Sequence, residues 1–262
     1  MSAFLDLAGL DDRQEAALER LILTLADSKR LMGIRYSDWL LGAPSIETGI
    51  SASSMAQDEW GHARLLYAML KELGRDPVPV EHDRPAGEYA SVAALDEEAP
   101  DWAALVATMV LADGAITSML RSFASGTFES ASNRVPKMLA EEEFHASLGA
   151  AWFRRLAETE GEARNLLLAA ANAMLPGLVA WVGADDASAR LMVDAGVIGP
   201  AEDRLADFRD SVRDLLALLD VDVDAVPADG EWDAARGRTP GHPGEEAVER
   251  ARGDRNRALF VE

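Results

Sequence analysis

The chain has 262 residues, 48% of them hydrophobic, and sets 25 Lys and Arg against 46 Asp and Glu, for a formal net charge of −21. That length suits one large domain with a sizeable core, and that charge argues against contact with a nucleic-acid phosphate backbone. With no cysteine, disulfides, zinc–thiolate sites, iron–sulfur clusters and thiol catalysis are excluded, and a cytoplasmic location is permitted.

Alanine and leucine dominate and β-branched runs are short, which predicts an all-α protein. The first twenty residues lack a basic region followed by an apolar core, so no signal peptide is expected. A long amphipathic segment covers about 11–41 and breaks at Gly42-Ala43-Pro44. A second covers about 45–73 and stops at Gly74. Residues 75–90 are rich in proline and charge and read as a crossover loop, with a short helix expected over 89–98. A third long helix spans about 102–125. It is the most apolar stretch, yet Asp113 and several hydroxyls within it point to a buried bundle helix and not a membrane span. The fourth starts near Ser132 or Asn133, with Pro136 in its first turn, and runs to about residue 160. An apolar helix over 162–182, bent at Pro176, and two more over about 186–194 and 201–219 follow. Residues 221–243 read as loop, and 245–259 as a charged surface or frayed segment. Two long hairpins joined by one crossover fit a ferritin-like four-helix bundle of two antiparallel hairpins with additional C-terminal helices. The bundle and its accessory helices would occupy 1–220 and a loop with a charged tail 221–262.

Two Glu-x-x-His pairs, Glu59–His62 and Glu142–His145, use two of the four histidines. On a helix, residues i and i+3 share a face, so each pair can aim a carboxylate and an imidazole at one point. Two such pairs on facing helices are what a bundle contributes to a carboxylate-bridged metal site. Chance would supply them roughly one time in twenty-five, so the spacing needs geometric support. Hairpin geometry gives it. Glu59 lies as far after Pro44 as Lys29 lies before it, and Glu142 and Asp113 are about equidistant from the turn at Gly126-Thr127-Phe128. All four positions fall roughly 20 Å from their turns.

Asp113 is the only charge between Asp101 and Arg121. A buried carboxylate there requires a metal, a cation or a good donor. Lys29 shares its helical face with Leu18, Ile22, Leu25, Met32 and Tyr36 and so points inward, outside the one arc that Glu15, Glu19, Asp27, Arg30 and Asp38 fill. A snorkelling surface lysine is the alternative. Facing Glu59, Glu142 and Asp113, the ammonium would neutralise carboxylates as a metal does, leaving room for one ion or none. Glu141 and Glu143 turn to other faces and read as solvated, His82 and His242 as surface residues, and Trp39, Trp60, Trp102, Trp152 and Trp181 as core anchors.

The segments RYSDWLLGAP (35–44), AQDEWGHARLLY (56–67), ADGAITSML (112–120) and AEEEFHASLGAAWFRRL (140–156) resemble the phenylacetate-catabolism family, the ferritin-like subunits of the bacterial phenylacetyl-CoA ring-1,2-epoxidase. The chain falls between the catalytic A-type and the structural C-type subunit. Set against the A-type pattern, Glu59, His62, Asp113, Glu142 and His145 match the iron ligands, but Lys29 stands where the first helix carries a glutamate. The segment LADSKRLMGIRYSDW (25–39) is similar to the C-type subunit. The resemblance implies a subunit of an aryl-CoA ring-epoxidising monooxygenase with one or two irons, or none if Lys29 fills the position. It also implies a homodimer or a heterodimer with a related bundle subunit, and a separate reductase as electron source. A non-catalytic bundle whose site is a buried ionic network, and a more distant iron-storage or peroxide-detoxifying ferritin-like protein, are the other readings.

Overall fold

The computed structural model describes residues 4–228 and 231–254. It is a ferritin-like helical bundle, with no strand among the described residues. The first hairpin pairs α1 (Asp12–Asp38) with α2 (Ile46–Tyr67), which a 3₁₀ stretch prolongs to Leu73. Asp11 caps α1 by accepting from Arg13 and Gln14, while Gln14 returns a bond to its backbone, so both ends of the capping box are made. Ser45 caps α2.

The crossover is more ordered than its composition suggests. Pro77 starts a short helix, α3 (Pro77–His82), where its fixed φ and missing N–H suit a first turn. The helix expected over 89–98 is reduced to a single 3₁₀ turn, Ala93–Leu95.

The second hairpin begins with α4 (Trp102–Ala107), passes through a π-turn at Thr108–Ala112 and continues as α5 (Asp113–Ala124). It returns as α6 (Glu129–Ala157). Because α6 begins at Glu129, Pro136 lies two turns inside it and not in its first turn, as the sequence had suggested. Helices α7 (Glu162–Val182), α8 (Ala187–Asp194) and α9 (Ala201–Ala217) pack outside, and α10 (Glu245–Arg252) returns to α1. The expected segment 245–259 is thus helical to Arg252, and 255–259 lies outside the described residues.

Two helices, Trp102–Ala124 and Glu162–Val182, are long and apolar enough to cross a membrane, but 89% of the first one's apolar window is buried in the protein.

Every residue of α1 from Thr24 to Tyr36 is buried, the charged Asp27 and Arg30 included. The crossover and α10 cover that side and supply its partners. Asp27 accepts from Tyr67 Oη (2.5 Å), the Ala90 N–H (2.8 Å) and the Arg84 guanidinium. Arg30 pairs with Glu81 at 3.0 Å and donates to the Ala251 carbonyl at 2.7 Å. Arg238, which the sequence places in a loop, is likewise fully buried and pairs with Asp96.

Gly33 sets the spacing of the first hairpin. An added Cβ would lie 2.3 Å from Trp60 Nε1 and 3.0 Å from the Ala56 carbonyl. Gly33→Ala is therefore expected to destabilise the protein by about 1–3 kcal/mol, read from urea unfolding.

Candidate functional site

Four helices deliver seven side chains to one level of the bundle. Lys29 and Tyr36 come from α1, Glu59 and His62 from α2, Asp113 from the start of α5, and Glu142 and His145 from α6; all are buried. The π-turn aims Asp113. A wide turn shifts the downstream helix by one residue, about 100° of rotation, so an uninterrupted α-ladder from Trp102 would point this carboxylate elsewhere. The bulge needs room, which Gly149 of α6 provides: an added Cβ would sit 3.2 Å from Met109 Cβ and 3.3 Å from Val110 Cγ2.

Lys29 occupies the centre. Its Nζ donates to Glu142 Oε1 at 2.5 Å, Asp113 Oδ1 at 2.7 Å and Glu59 Oε1 at 3.1 Å, which uses all three of its protons. Tyr36 Oη donates to the other Asp113 oxygen at 2.7 Å, and Thr117 Oγ1 to Glu142 Oε2 at 3.3 Å. Both imidazoles turn Nδ1 inward. His62 Nδ1 is 3.1 Å from Glu142 Oε1, and His145 Nδ1 is 3.2 Å from Glu59 Oε1, 3.4 Å from Glu142 Oε2 and 3.6 Å from Asp113 Oδ2. Neither Nδ1 is aligned with any of these oxygens for a hydrogen bond, and Glu59 Oε2 is also buried without a partner.

The outward Nε2 atoms reach across the bundle. His62 on α2 meets Glu141 of α6 at 2.8 Å, and His145 on α6 meets Asp58 of α2 at 3.4 Å. These carboxylates fix the orientation of the two rings. The sequence reading missed Asp58 and placed Glu141 on another face. The signal was present, since each is an acidic residue directly before a Glu-x-x-His. It was hidden because the contact is made to the opposite helix.

Charge and burial compete throughout. Burial acts most strongly on Lys29 and alone would favour the neutral amine, but Asp113, Glu142 and Glu59 together outweigh it and hold the pKa well above the ordinary lysine value. Burial, then repulsion from Asp113 and Glu142, lifts Glu59 to about 7 against the pull of Lys29. Burial would raise Glu142 too, yet Lys29 and the two histidines take it well below the usual carboxylate range. His145 is raised to about 12, because Asp113, Glu142 and Glu59 overcome the opposing effect of burial. His62 is raised for the same kind of reason, through Glu142 and Glu59. Three acidic groups thus face three basic ones, and the cluster can balance its own charge.

The arrangement can also be read as a metal cradle. Glu59, Asp113, Glu142 and His145 each offer a ligand atom, all within 4.8 Å of one another, and His62 stands beside Glu142. Two imidazole nitrogens and three carboxylates suit a first-row transition metal such as iron. Glu59 Oε2 and the two Nδ1 atoms, buried without hydrogen-bond partners, are the free ligand atoms there. Two ions do not fit these residues, because the Lys29 ammonium stands among the three carboxylates and holds one oxygen of each.

Residues 1–250 match the family described as phenylacetic acid catabolic protein. No curated protein matches the chain significantly.

Replacing Lys29 by Met would leave three buried carboxylates without their shared cation, a loss of about 3–5 kcal/mol at neutral pH. Lys29 also holds Glu59 down, so in the variant Glu59 rises further above about 7 and takes up a proton more readily. The deficit should therefore shrink as pH falls through this region, as measured by chemical denaturation across a pH series.

Proposed function

The chain belongs to the phenylacetic acid catabolic protein family, and from that membership we propose that it is a ferritin-like subunit of a multicomponent monooxygenase acting on the ring of phenylacetyl-CoA or a related aryl-CoA thioester. Its own cluster is a lysine-closed ionic network that supports a related bundle subunit, and the oxygen chemistry belongs to that partner. The carrying observation is the Lys29 ammonium bonded at 2.5–3.1 Å to Glu59, Asp113 and Glu142. A cation built into the chain does structurally what a metal would do. It removes carboxylate repulsion and lets the two hairpins dock. Electrons would come from a separate reductase, since the chain has no cysteine for an iron–sulfur cluster. A cytoplasmic location suits this role.

A second reading, a single-iron centre held by His62, His145 and the carboxylates, is favoured by the two inward Nδ1 atoms and Glu59 Oε2, which lack hydrogen-bond partners.

Metal analysis separates the two. Protein purified from iron-rich medium is expected to carry well under one iron per chain, and Lys29→Glu, which restores a fourth carboxylate, roughly two. About one iron in the unmodified chain would select the second reading. Roughly two there would overturn the role assigned to Lys29.

A further inference from the structure

We infer that the π-turn is a register switch through which a cleft in the bundle wall acts on the Lys29 network. The inference rests on the reading of Lys29 as the resident cation and not on the assembly with a partner. A cleft of about 240 Å³ lies between α5, α6 and α9. Met109, Val110, Ala146 and Leu215 give it an apolar wall, and the buried Asp113 and Glu142 also line it. The rest of the cluster is sealed, with Lys29, Glu59, His62 and His145 at most 1% exposed. The cleft therefore touches two of the three carboxylates that Lys29 holds.

The π-turn is the link between them. Met109 and Val110 belong to it, and both also abut Gly149, which leaves no spare room on that side. The register changes at Asp113 itself. Its N–H bonds to the Thr108 carbonyl, five residues back, where an α-ladder would use that of Met109. Exchanging this one acceptor would turn the Asp113 side chain by about 100° and carry it off Lys29 and Tyr36. Apart from Thr108, residues 103–112 are all apolar, so both ladders can bury them.

Opposing contacts choose between the two ladders. Lys29 Nζ and Tyr36 Oη each donate to an oxygen of Asp113 at 2.7 Å and so favour the π-ladder. A compact apolar group in the cleft favours the α-ladder, because a wide turn takes more cross-section and tightening it makes room beside Met109 and Val110. By linkage, whatever fills the cleft loosens Lys29 from Asp113, and loss of Lys29 loosens the turn to the same extent. The switch leaves Lys29 bonded to Glu59 and Glu142 and withdraws one carboxylate from the cluster.

The test is a toluene titration of the whole chain followed by nuclear magnetic resonance. The chain has three lysines and nine methionines, so isotope labels on lysine nitrogen and methionine methyl groups give few signals. Lys71 and Lys137 are exposed, which leaves Lys29 as the ammonium whose protons exchange slowly enough to be seen, and Met109→Leu assigns the methyl. Toluene is expected to shift the Met109 methyl and, with the same midpoint, to shift the Lys29 ammonium and speed its proton exchange. Gly149→Ala crowds the turn and should shift the Lys29 signal in the same direction without toluene. If the Met109 signal moves and that of Lys29 does not, or if Gly149→Ala leaves Lys29 in place, the coupling is overturned. Toluene that moves neither signal overturns the apolar trigger. Absence of a slowly exchanging ammonium in the untreated protein instead overturns Lys29 as the resident cation.

Discussion

One lysine ammonium held inside the bundle by three carboxylates is the constraint on which the rest of this structure turns. Neither partner could be buried alone. An isolated carboxylate or ammonium taken out of water carries a penalty of several kcal/mol, and attraction between opposite charges offsets it only where geometry is good and all donors are used. Here the three protons of Lys29 meet one oxygen from each of Glu59, Asp113 and Glu142. Those acceptors come from three helices, so the charge network fixes the docking of the two hairpins in register.

The same logic extends one layer outward. α1 is buried all round from Thr24 to Tyr36, and its outward acid Asp27 is satisfied by Tyr67, Arg84 and the Ala90 amide. The crossover and α10 are therefore integral to the bundle, because they supply the counter-charges that let α1 sit at its centre. Arg84 also lies over the rings of Tyr67 and Tyr89, at 5.9 and 4.9 Å from their centroids, and so couples the charge layer to aromatic packing.

Much of this was legible in the sequence. Helical periodicity and the breakers at Gly42-Ala43-Pro44 and Gly126 located the long helices, and counting from the turns put Lys29, Glu59, Asp113 and Glu142 at one height. The inward lysine followed from its neighbours Leu25, Met32 and Tyr36. What escaped was whatever depends on a contact from another element. The burial of Asp27 and Arg30 is not visible in the sequence because the segments that cover them are distant along the chain. Glu141 read as solvated because its partner His62 lies on the facing helix. The π-turn at Thr108–Ala112 has no compositional mark, since a run of apolar residues packs equally well in either ladder. Pro136 was placed in a first turn because the start at Glu129 precedes the usual capping residues and lacks a side-chain cap.

The crossed arrangement of the histidine partners has a consequence for how the cluster comes into being. Each imidazole is aimed by an acid on the other hairpin, His62 by Glu141 and His145 by Asp58. A lone hairpin would hold one Glu-x-x-His pair with its ring free to rotate and no complete chelate to offer. The cluster therefore takes its final geometry only at the moment the two halves of the fold close on each other.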